Sequence, residues 1–140
     1  MNRLKQIIKL FIPTYIILMI IDGLWLGFIV KEQHALWLGP LLRDPQYWSM
    51  SHYVAAFKAW AFLALGMLIF VLPRVRNVDI AKTFGIGALF GLLVYGVFQM
   101  TCYAIIVNWP WQLVYADMAW GTFLCGVMAM IIHKLDLKFR

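Results

Sequence analysis

Four long apolar stretches, residues 10–30, 53–72, 83–107 and 111–133, dominate the chain. Each approaches the roughly 20 residues that a helix needs to cross the hydrocarbon core of a bilayer. A backbone inside lipid must pair its N–H and C=O groups internally, which leaves helices and closed barrels as the spanning structures. The stretches have helical periodicity and lack the ten-residue alternating segments of a barrel. The sequence therefore predicts an all-α integral membrane protein, with four transmembrane helices in an antiparallel bundle. Composition agrees, because 64% of the residues are hydrophobic and 13% charged, whereas a soluble domain is about half apolar. Connections and tails use nearly all that remains of the 140 residues. A single four-helix domain over residues 1–140 is expected, with no internal linker or low-complexity tract.

Arg3, Lys5 and Lys9 precede the apolar run from Leu10 to Ile21, as in a secretory signal. A cleavable signal ends in small residues, whereas this run continues through Asp22, Gly23, Leu24, Trp25 and Leu26. It reads as a retained helix. Pro13 falls in the first turn of the first span, Pro73 closes the second and Pro110 opens the fourth, positions where a helix tolerates proline. Residues 31–50 carry Trp37, Gly39, Pro40, Asp44, Pro45 and Trp48, a segment expected to lie on the outer interface or cap the bundle, or to serve only as an aromatic anchor.

The cations set the orientation. Arg3, Lys5, Lys9, Arg74, Arg76, Lys82, Lys134, Lys138 and Arg140 flank one side, against Lys31 and Arg43 on the other. The positive-inside rule then predicts cytoplasmic N and C termini. The net charge of +6 and a pI near 9.6 come from short segments beside helix ends, where orientation and attraction to anionic lipid explain them. No nucleic-acid motif accompanies them. Membrane lipids are the expected partners, and nucleic acid is not.

Four polar side chains interrupt the spans: Asp22, Lys58, Gln99 and Asp117. Counting from the outer ends puts Asp22 and Gln99 ~12 Å deep and Asp117 and Lys58 ~8 to 9 Å deep. All four belong to the outer half. An ionisable group there costs at least ~2.5 kcal/mol, so each is expected to face the bundle interior or water and to have a partner. Two acids, an ammonium and an amide could satisfy one another, the chemistry of a proton-linked or cation site. Equally, Lys58 could snorkel to the headgroups and the acids could be interhelical glue. Gly91, Tyr95, Gln99 and Cys102 lie within an arc of about 80° on the third helix, a small and polar face. Gly87 and Gly91 form a small-xxx-small pair that admits a close neighbour.

Cys102 and Cys125 are expected at different depths, too far apart for a disulfide. His34, His52 and His133 share no ligand spacing, so no metal site is expected. No phosphate loop, nucleophile elbow or His-rich box is visible, and no cofactor is expected.

The run Asp22-Gly23-Leu24-Trp25-Leu26-Gly27, the pair Leu38-Gly39, Phe90-Gly91-Leu92 followed by Tyr95, and Asp117-Met118-Ala119-Trp120-Gly121 resemble the signature of a bacterial family of small membrane proteins, domain of unknown function 2177. The resemblance covers most of the chain and implies a four-helix protein of the bacterial inner membrane, with no particular activity. Where that family typically has an acid and then an amide after the third-helix tyrosine, this chain has Gln99 and Cys102 and keeps only Thr101. Asp22-x-x-Trp25 and Asp117-x-x-Trp120 also echo one another, in spans of opposite direction, as in an inverted repeat.

Three functions fit these residues. The first is an intramembrane site that binds or transports a small ligand, ion or proton through Asp22, Asp117, Gln99, Trp25, Trp120, Tyr95 and Lys58. The second is an accessory subunit docking on a larger membrane complex, or a homo-oligomer. The third is an intramembrane enzyme acting on a lipid, with an aspartate as acid or base; the sequence leaves enzymatic activity open. The topology has its own test: a green fluorescent protein fused after Arg140 should fluoresce, and alkaline phosphatase inserted within residues 31–50 should be active. The opposite pattern inverts the orientation.

Overall fold

A computed structural model describes residues 2–140. Helix α1 (Arg3–Leu24) runs on through one π turn, Trp25–Ile29, and a short helix α2 (Lys31–Leu38) follows. Helix α3 (Met50–Gly66) continues through a second π turn, Met67–Val71, into α4 (Leu72–Val75). Helices α5 (Ile80–Ile105) and α6 (Trp111–Phe139) complete the chain, and no strand forms among the described residues. Four helices are long and apolar enough to cross a membrane: Arg3–Ile29, Met50–Val75, Ile80–Ile105 and Trp111–Phe139. The expected all-α architecture with four spans is the observed one. Most of these helices outrun the apolar stretches because polar caps lie beyond the greasy residues. Asn2 accepts from the Leu4 N–H at 3.2 Å, and Asp79 from that of Lys82 at 2.9 Å. Each occupies a free donor in the first turn. Residues 31–50 contain no fully buried side chain, and α2 rests against α6.

Helix α1 shows how sequence spacing becomes packing. Its buried residues are Gln6, Leu10, Thr14, Leu18 and Asp22, every fourth position, while Ile8, Ile12, Ile16 and Ile20 are exposed on the opposite face, where lipid would lie. Gln6 meets Asp136 of α6, and Asp22 meets Trp120 of α6. That register sets Leu10, Thr14 and Leu18 level with Ile132, Met128 and Leu124, all of them fully buried. Rows of residues four apart on two helices are the ridges that interlock in helix packing.

Helix α6 is the central element and has a second, flatter face toward α5. A Cβ on Gly87 would meet the Cys125 carbonyl and the Ala129 methyl, and a Cβ on Gly91 would meet the Gly121 carbonyl. Gly121 in turn lies under the Tyr95 ring, and Gly126 under the Phe84 ring. Backbones this close gain dispersion and leave no lipid between the helices. The α5–α6 contact is the most extensive in the molecule. The turn joining them includes Asn108 at φ 62°, a left-handed conformation that asparagine tolerates better than most residues.

Overpacking a tight site costs about 1 to 3 kcal/mol. Gly91→Ala is therefore expected to lower the unfolding temperature of the detergent-solubilised protein. Gly85→Ala, at a position with open space around it, is expected to leave that temperature unchanged or raise it slightly. Equal behaviour of the two variants in a thermal melt rules out the glycine seam as a determinant of stability.

Candidate functional site

Two polar layers lie inside the bundle, and the first is built on Asp22. Its carboxylate is buried and accepts one indole N–H at each oxygen, from Trp60 of α3 and Trp120 of α6, both at 2.7 Å. Three helices are thereby tied at one point. Hydrogen bonds to a charged group are stronger than neutral ones, and an indole supplies its donor without bringing a second charge into the bundle. Trp25 follows Asp22 by three residues and stacks on Trp120, with centroids 4.1 Å apart and planes within 1°. The π turn begins at Trp25. The Trp25 N–H is buried and has no partner.

Beside this clamp stands a second chain of polar groups. Gln99 donates from Nε2 to Asp117 Oδ2 at 2.7 Å, and its Oε1 accepts the Trp109 indole N–H at 3.0 Å. An amide suits this bridging place because one end accepts while the other donates. Trp109 reaches back over ten residues because the turn through Asn108 reverses the chain. Among the described residues no other group donates to Asp117, whose Oδ1 is unpaired. Asp117 borders a cavity of about 400 Å³ whose other walls are Ala59, Phe62, Leu63, Phe90, Val94, Tyr95 and Phe98. The cavity lies between α3 and α5, which close together beyond it, where Gly66 lies beside the Phe90 ring and the π turn and α4 touch α5. Phe62 is 70% and Phe98 56% exposed, so the cavity opens sideways, toward lipid.

The structure thus brings Asp22, Trp25 and Trp120 into one cluster, and Asp117, Gln99 and Tyr95 around another, in the same half of the bundle. Lys58 is elsewhere. It is exposed on α3 and takes part in none of the ion pairs among the described residues. Of the two readings of Lys58, pairing with the acids and snorkelling, the pairing is not formed, and indole and amide donors meet the acids instead. The long stem of Lys58 can carry the charge toward the headgroups, which costs less than burial.

Sequence reasoning missed Trp60 and Trp109, whose indoles supply the partners that Lys58 does not. It also missed a second polar layer at the opposite, basic end. There Asp136, 1% exposed, pairs with Arg76 at 3.3 Å and with Arg140 at 2.7 Å, and Gln6 bonds to both Asp136 and Arg76. A signal did exist: Gln6 is the first member of the four-residue series that ends at Asp22. Cys102 and Cys125 are free and buried, and no cluster of metal-ligating side chains forms among the described residues.

No curated protein and no solved structure matches the chain. One family does, over residues 7–133, and it is described as a predicted membrane protein. The match takes in most of the first and last spans with their aspartates and the whole of the second and third, and the chain belongs to this family, DUF2177.

Proposed function

We propose that this multi-pass membrane protein binds a small membrane-dissolved amphiphile, with its apolar body between α3 and α5 and a donor-bearing or cationic head on Asp117. In this reading it resides in the bacterial inner membrane with both termini cytoplasmic, so the cavity lies in the outer half of the bilayer. The observation that carries it is the unpaired Asp117 Oδ1 at the wall of an otherwise apolar cavity of about 400 Å³. Ligand sites are mostly apolar concavities with a few placed polar groups. A carboxylate held by a single amide lacks a countercharge, and an ammonium or hydroxyl head supplies what is missing. Tyr95, on the same wall, can offer its hydroxyl or ring to that head. Gln99 and Trp109 act as positioning residues, and Asp22 with the indoles of Trp60 and Trp120 holds α1 and α3 against α6.

A translocation path has less support. Between the two polar layers lie Leu10, Leu18, Ala64, Met67, Leu124 and Met128, every one fully buried, with the Thr14 hydroxyl buried among them. A packed and largely apolar plug of this kind, with a single hydroxyl and no charge, offers ions no path. Access from the lipid side fits binding without passage.

The probe is dodecylamine, with dodecanoate as the chain-matched anion, titrated into the protein in neutral detergent and followed by tryptophan fluorescence. The amine is expected to bind more tightly than the anion. Asp117→Asn should weaken amine binding about tenfold, the loss of about 1.4 kcal/mol that a charge-assisted bond represents. Unchanged amine affinity in Asp117→Asn removes the proposed site. Asp22→Asn is expected to act differently: it exchanges a carboxylate clasped by two indoles for a neutral amide, lowering the unfolding temperature while the amine preference over dodecanoate survives.

A further inference from the structure

The basic end of the bundle holds more positive charge than its own packing consumes. Asp136 is buried at the C-terminal part of α6, and both of its oxygens are engaged. Oδ2 accepts from Arg76 Nε at 3.3 Å, from Arg140 Nε at 2.9 Å and from Arg140 Nη2 at 2.7 Å. Oδ1 accepts from Gln6, and the Gln6 carbonyl accepts from Arg76 Nη2. One guanidinium would neutralise the carboxylate. Two are present, with side chains 30% and 43% exposed. Each is fastened through its Nε edge, and the Nη1 group of both is free of partners among the described residues. A cavity of about 350 Å³ opens beside them, lined by Gln6, Arg76, Asn77 and Arg140. Its other donor is the exposed Asn77 amide, in the turn that follows α4.

We propose that this cavity is a binding site for a phosphate group. Guanidinium N–H groups in a fixed orientation match the geometry of phosphate oxygens, and here Asp136 and Gln6 fix that orientation before any ligand arrives. Preorganisation of this kind lowers the cost of binding. Arg76 directly follows the last turn of a spanning helix, at the level where helices meet headgroups. An anionic phospholipid headgroup and a free phosphate ion share the required chemistry. The site lies at the end opposite Asp117 and is independent of the amphiphile proposal.

Dihexanoyl phosphatidylglycerol, dihexanoyl phosphatidylcholine and inorganic phosphate are titrated separately into the full chain in neutral detergent. The substitutions compared are Asn77→Asp, Arg140→Gln and Lys5→Gln. Asn77 stands outside the Asp136 network, so Asn77→Asp adds a repelling charge to the cavity wall without touching a fold-bearing bond, and it decides the matter even where Arg140→Gln fails to fold. The expected result is saturable binding of phosphatidylglycerol or phosphate, weakened about tenfold by Asn77→Asp, equivalent to about 1.4 kcal/mol, and unaffected by Lys5→Gln. Binding of phosphatidylglycerol alone assigns the site to a lipid headgroup, and binding of inorganic phosphate as well assigns it to the free ion. Absence of saturable binding by either anion overturns the proposal, as do equal losses in Asn77→Asp and Lys5→Gln or equal affinity for phosphatidylcholine and phosphatidylglycerol.

Discussion

The backbone contact between α5 and α6 sets the geometry of everything else. Lipid offers no hydrophobic drive for one helix to prefer another, so association rests on close packing and interhelical hydrogen bonds. Gly87, Gly91 and Gly121 remove the side chains that would keep the two backbones apart. With those residues in contact, the Tyr95 ring is laid on Gly121, and one turn further along α5 Gln99 comes within hydrogen-bond reach of Asp117. The hairpin is thus both the most tightly built part of the molecule and the wall of the cavity. Helices α1 and α3 are added to it by different means. Asp22 joins them to Trp120, and the Gln6–Asp136 bond closes α1 at the other end.

Helix α3 is the least constrained of the four. Its N-terminal portion is linked to α1 through Trp60 and through the Tyr15 hydroxyl, which donates to the Phe57 carbonyl at 3.2 Å. Toward α5 it closes at its last residue, Gly66, beside the Phe90 ring, and then at the π turn and α4. The same region solves a local problem. Pro73 has no N–H to offer the Ile69 carbonyl one turn back, and Arg3 Nη2 occupies that carbonyl instead at 2.9 Å. Arg3 thereby pins the π turn that closes against α5 while the N-terminal part of α3 stays apart from α5. The opening of the cavity follows from that asymmetry.

Much of this arrangement was legible in the sequence. Apolar length alone located four spans, and the small residues at 87 and 91 marked the close contact. The shared depth of Asp22, Gln99 and Asp117 placed them in one half of the bundle because depth is a one-dimensional count along a helix. Partner identity is not such a count. Whether Asp22 meets Lys58 or Trp60 depends on which face of α3 turns inward, and those two residues are only two apart, so a rotation of 200° decides between them. The weak amphipathicity of a helix with apolar residues all round leaves that rotation open. The basic-end network was obscured for another reason: Gln6, Arg76, Asp136 and Arg140 lie in charged flanks, where cations are already explained by orientation. The contacts of Gln6 and Arg76 join residues 60 to 130 positions apart, beyond the reach of any local pattern, whereas Asp136 and Arg140 are four apart on one helix.

Three buried or half-buried aspartates, one residue type, mark out what each region can do. Asp136 is met by two guanidinium groups and an amide, and is overcompensated. Asp22 is met by two indole donors, one for each oxygen, and its hydrogen-bonding demand is filled without countercharge. Asp117 is met by one amide and faces a cavity. A buried charge is tolerated in proportion to the donors and countercharges around it, so residual demand rises from Asp136 through Asp22 to Asp117. The first leaves surplus positive charge beside a cavity, the second leaves nothing over, and the third leaves an unfilled acceptor in an apolar surrounding. Ligand chemistry belongs where compensation is unequal. For that reason the two proposed sites have opposite preferences, a phosphate at the basic end and a donor-bearing or cationic amphiphile at Asp117, while the more completely bonded acid of the Asp117 half, Asp22, serves to hold the helices in place.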